Sequence, residues 1–83
     1  MKSKQDVKAE YDYKFDILYM TVGDPAPSEA EDIASNVYVQ YDVFTNRLTG
    51  AIIMEYSKRD KKWLEKILPN VLGEHLPNIA EIT

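Results

Sequence analysis

Between Val7 and Tyr56 apolar and polar side chains mostly alternate, the two-residue period of strands that bury one face. Val7, Ala9, Tyr11 and Tyr13 alternate with Lys8, Glu10 and Asp12, which predicts a first strand over 7–13. "KFD" then makes a tight turn. Ile17 to Val22, rich in β-branched and aromatic residues, reads as a second strand closed by Gly23 and Pro25. The stretch "DPAPSEAEDIAS" holds two prolines and four acids and is expected to be loop. A third strand over 37–44 places Val37, Val39, Tyr41 and Val43 on one face. "TNR" follows as a short hairpin loop in which Asn46 takes a positive φ. Leu48 to Tyr56 is the fourth strand, with Gly50 marking a bulge or a close backbone approach.

After Ser57 the period lengthens to about 3.6 residues, that of a helix with one apolar stripe. Trp63, Leu64, Ile67 and Leu68 form the stripe, and Lys61, Lys62, Glu65 and Lys66 surround it. The helix spans 58–68, capped by Ser57 or Asp60 and ended by Pro69. In the tail, 69–83, Val71 and Leu72 extend the stripe, Gly73 is a stop signal, and Leu76, Ile79 and Ile82 recur every three residues.

The expected fold is α+β with element order ββββα. A four-stranded antiparallel sheet of two hairpins, over about 7–57, carries one C-terminal helix on one face. At 83 residues the chain is a single small domain, 1–83. If Leu18, Met20, Val22, Val37, Val39, Ile52 and Met54 face the helix, then Ile17, Tyr19, Tyr38, Ala51 and Ile53 face away. That second set is too apolar for a wetted surface and is the candidate interface, expected to meet another sheet across a two-fold in a homodimer.

Composition narrows the functional classes. Cysteine is absent, which excludes disulfides, thiolate metal sites and cysteine nucleophiles. A net charge of −4 argues against nucleic acid as partner, because phosphate binding needs clustered Lys and Arg. The basic run "KRDKK" at Lys58 to Lys62 is interrupted by Asp60 and reads as the solvated start of the helix. No run of some 18 apolar residues is present and no apolar segment follows the N-terminal lysines, so the chain is expected to be soluble and cytoplasmic, with no membrane partner.

Catalytic signals are sparse. The three glycines, Gly23, Gly50 and Gly73, build no phosphate loop, none of the serines lies in a nucleophile motif, and His75 stands alone beside Glu74. No cofactor is implied. The carboxylates Asp12, Asp16, Asp42 and Glu55 form the candidate polar site: brought together, Asp12, Asp16 and Asp42 would hold a divalent cation or small ligand and support hydrolysis. The competing reading is structural, because Asp12 and Asp16 flank one turn and Asp42 leads into another, where an Asp side chain bonds nearby backbone N–H groups. The six tyrosines suit a protein interface better than a base-stacking platform, which needs a basic groove.

The order of "YDYKFDILYM", a proline-containing acidic loop and "VYVQYDVFTNRLTGAIIMEYS" resembles the small bacterial proteins grouped as domain of unknown function 2283. The match falls on Tyr11, Asp12, Asp16, Leu18 and Tyr19, then on Tyr41, Asp42 and Gly50, within about 7–57. It departs after Gly50, where "AIIMEYS" stands in place of an early acid. The resemblance implies a fold, and an antitoxin-type partner of a small basic protein. The expected function is therefore a non-enzymatic protein-interaction module that binds through the tyrosine-rich face or the acidic loop Asp24 to Asp32. The alternative is the cation or small-ligand site.

Overall fold

The computed structural model describes residues 6–78. Five strands form one antiparallel sheet: β1 Val7–Asp12, β2 Ile17–Val22, β3 Ser28–Ala34, β4 Val37–Asp42 and β5 Leu48–Met54, in the order β1-β2-β5-β4-β3. A one-turn 3-10 helix at Tyr56–Lys58 leads to two short helices, α1 Lys61–Ile67 and α2 Asn70–Gly73. The α+β class and the antiparallel sheet match the sequence reading, while the strand number and the single helix do not.

The added strand is β3, taken from the expected acidic loop. It is an edge strand bonded only to β4, so Glu29, Glu31 and Asp32 keep their carboxylates in water. Ser35 and Asn36 turn the chain into β4, with Asn36 at φ 61. Asn46, at φ 67, does the same between β4 and β5, as the "TNR" reading requires. Both expectations for Gly50 hold. The β4–β5 register slips between Gln40 and Tyr41, opposite the Gly50 to Leu48 stretch, and a Cβ on Gly50 would lie 2.3 Å from the Met20 carbonyl oxygen.

One face of the sheet carries the core. Leu18, Met20, Val22, Val37, Val39, Ala51 and Ile53 pack with Tyr56, Leu64, Leu68, Leu72 and Leu76, all buried. Asp60 caps α1 by accepting the Lys62 N–H at 3.1 Å, and the helix stops at Leu68, before Pro69. Trp63 leaves the expected stripe and is exposed, because the seven-residue helix turns only Leu64, with Leu68 just past its end, fully into the core, and Ile67 packs beside them. Gly73 ends α2 and lets it approach α1, its missing Cβ position lying 3.4 Å from Glu65 Cα. Of the tail's apolar triplet, Leu76 is buried, and Ile79 and Ile82 lie outside the described residues.

The face assignment in β5 needs correcting. Met20 pairs with Ala51 and Leu18 with Ile53, so Ala51 and Ile53 are core and fully buried, while Ile52 and Met54 lie on the other face. The register against β2 decides it, because both parities of β5 are apolar, and beyond the strand the left-handed Glu55, at φ 53, breaks the alternation. Tyr56 turns back into the core although it shares the parity of the outward residues Ile52 and Met54.

Candidate functional site

The helices cover one sheet face and leave the other open. Cross-strand pairs define what the open face displays: Ile17 opposite Met54, Tyr19 opposite Ile52, and Tyr38 on the other side of Ile52. Thr21, Gly50 and Gln40 complete it in the three central strands, with the Gln40 amide lying over Gly50. Tyr19 is 41% exposed, and Ile17, Tyr38, Ile52 and Met54 are half-buried. The only charge that strand parity adds to this central surface is Asp42, and its carboxylate is turned onto its own hairpin.

Charge instead lines the borders. β1 contributes Lys8, Glu10 and Asp12, and β3 contributes Asp32, which pairs with Tyr38. A hollow of about 270 Å³ opens at the β1 border between Lys8, Glu10, Tyr19, Thr21, Gly23 and Pro25. An uncharged aromatic and aliphatic centre inside a polar rim is the anatomy of a protein-binding surface. Of the five residues selected from the sequence as an interface, Ile17, Tyr19 and Tyr38 are here, Ala51 and Ile53 are not, and Ile52 and Met54 replace them. Sequence alone carries no signal for the replacements, because both parities of β5 are apolar and only the register against β2 separates them.

The aspartates of the candidate polar site do not converge. Asp12 Oδ1 accepts the N–H groups of Lys14 at 3.0 Å and Phe15 at 3.2 Å, tying the first turn. Asp42 Oδ1 does the same for Phe44 at 2.8 Å and Thr45 at 3.3 Å. The Phe44 N–H bond, against some desolvation, holds the Asp42 carboxyl below its ordinary value. Asp12 and Asp16 lie at the sheet end where β4 begins, and Asp42 lies where β4 ends, three strands across from β1. Strand rise and spacing put them about 20 Å apart. Among the described residues no three His, Asp or Glu side chains are grouped to hold a metal ion.

Asp16 is a latch. Its Oδ1 accepts the Tyr11 hydroxyl at 2.6 Å and the Ser57 N–H at 2.9 Å, its Oδ2 accepts the Ser57 hydroxyl at 2.7 Å, and its carbonyl accepts the Tyr56 N–H at 3.0 Å. Burial pushes its carboxyl up, but the bonds from Tyr11 and Ser57 outweigh that and hold it low. The same bond to Asp16, with desolvation and the nearby negative charge, pushes the Tyr11 hydroxyl up. Glu55, the fourth carboxylate, is exposed at its left-handed turn. His75 is exposed and donates from Nδ1 to the Val71 carbonyl at 2.8 Å.

No family model, curated protein or solved structure matches this chain. The resemblance to domain of unknown function 2283 expected from the sequence draws no support from these comparisons and stands on short motifs alone. Three of the residues that carry it, Asp12, Asp16 and Asp42, make the turn and latch bonds described above.

Proposed function

We propose that this chain is a non-enzymatic protein-interaction module whose open sheet face docks a small basic protein, in the manner of an antitoxin. The observation that carries the reading is the contiguous surface of Ile17, Tyr19, Tyr38, Ile52 and Met54, uncharged at its centre and left uncovered by the helices. Its borders are mainly acidic, through Glu10, Asp12 and Asp32. Both arginines of the chain are committed elsewhere: Arg47 donates to the carbonyls of Val22 and Asp24, and Arg59 to those of Met54 and Ser35. The fitting partner therefore presents an apolar centre ringed by Lys or Arg, and the net charge of −4 steers it in.

Affinity capture tests this, using wild type and Ile52→Lys as baits in lysate of the organism that encodes the chain. Wild type is expected to retain a small basic protein that elutes as salt is raised, and Ile52→Lys is expected to lose it while keeping the native circular dichroism spectrum. A basic partner held equally by both baits, or none held by wild type, overturns the proposal.

A further inference from the structure

We propose that β1 is a self-pairing edge: two copies of this chain join β1 to β1, antiparallel across a two-fold, into one ten-stranded sheet. β1 and β3 are the two edges of the sheet, and they differ. β3 carries Glu29, Glu31 and Asp32 with no base, and its register breaks between Asp32 and Ala34, so a second β3 would meet bulge and like charge. β1 pairs with β2 without a register break over all six residues, and Lys8, Ala9 and Glu10 are exposed.

The backbone sets which groups are free. Asp6 accepts the Gly23 N–H at 2.8 Å, so the backbone of Asp6 faces β2. By the two-residue alternation of an antiparallel ladder, Lys8, Glu10 and Asp12 also face β2, and Val7, Ala9 and Tyr11 turn their N–H and C=O groups outward. No other described strand pairs with that edge.

An antiparallel pair centred on Ala9 uses all three. Ala9 meets Ala9 of the second copy, and Val7 meets Tyr11 of the second copy on each side, for about six inter-copy hydrogen bonds. Lys8 then stands opposite Glu10 of the second copy, twice, at the closer, non-hydrogen-bonded positions where side chains interact most. Charge selects this register. A slip of two residues one way opposes Lys8 to Lys8, and a slip the other way opposes Glu10 to Glu10. The pairing differs from the face-to-face homodimer expected from the sequence, and leaves each open face to the basic partner.

Sedimentation velocity over a range of concentrations tests it. Wild type is expected to reach twice the chain mass. Ala9→Pro removes an outward donor and no β1–β2 bond, and is expected to stay monomeric with its sheet spectrum intact. Lys8→Glu sets acid against acid and is expected to weaken the dimer about tenfold, and the exchange Lys8→Glu with Glu10→Lys is expected to restore it. The exchange leaves the backbone untouched and decides the matter even if Ala9→Pro does not fold. A wild type that stays monomeric overturns the proposal. So does a dimer indifferent to Lys8→Glu, or one that survives Ala9→Pro and is lost in Ile52→Lys.

Discussion

Asp16 shows how one side chain can look like chemistry and serve the fold. Its φ of 58 suits Asp or Asn, and its carboxylate gathers Tyr11 from β1 and Ser57 from beyond β5. A carboxyl held low in the folded state stabilises above its unfolded pKa, and that contribution is lost as pH falls through the folded value. Asp16→Asn keeps the backbone conformation but cannot ionise. It is expected to lower stability by about 1–2 kcal/mol at neutral pH, allowing for partial exposure. Urea midpoints should show the gap to wild type closing as pH drops below the ordinary carboxylate range, and parallel curves would refute the latch. Gly50→Ala forces a Cβ toward the Met20 carbonyl, on backbone that cannot swing aside. Its expected cost is about 2–3 kcal/mol, read from the same denaturation curves. The competing roles of the aspartates could be weighed from sequence because turn-forming Asp has a local signature. The Asp16 link to Ser57, 41 positions away, has none.

At the scale of elements, the strands with regular alternation and flanking turn residues were legible, and so was the helix with its Asp60 cap and Pro69 stop. β3 was not, because "SEAEDIA" lacks β-branched residues apart from Ile33 and follows two prolines. Such a strand persists where β4 supplies one ladder and water receives the acids. In β5 both parities are apolar, so alternation could not choose the buried one. The structure makes the choice measurable. Ile53→Ala empties a fully buried position beside Leu18 and Val37 and is expected to cost about 3 kcal/mol. Ile52→Ala, on the open face, is expected to cost about 1 kcal/mol or less. Thermal or urea unfolding that reverses the two would return the faces to the sequence assignment.

For the molecule as a whole, short helices on one side and a bare, uncharged sheet centre on the other leave apolar side chains that folding alone does not use. Tyr13, Phe15, Phe44 and Trp63 are also exposed, but the first two sit at the β1–β2 turn, Phe44 at the β4–β5 turn and Trp63 on α1, apart from that centre. Hydroxyl-radical footprinting of the captured complex separates the two sets directly, because tyrosine, phenylalanine, tryptophan and methionine all label readily. Labelling of Tyr19, Tyr38 and Met54 is predicted to fall on partner binding, with Tyr13, Phe15, Phe44 and Trp63 unchanged. Undiminished labelling of Tyr19, Tyr38 and Met54 in the complex would contradict the open face as the docking surface.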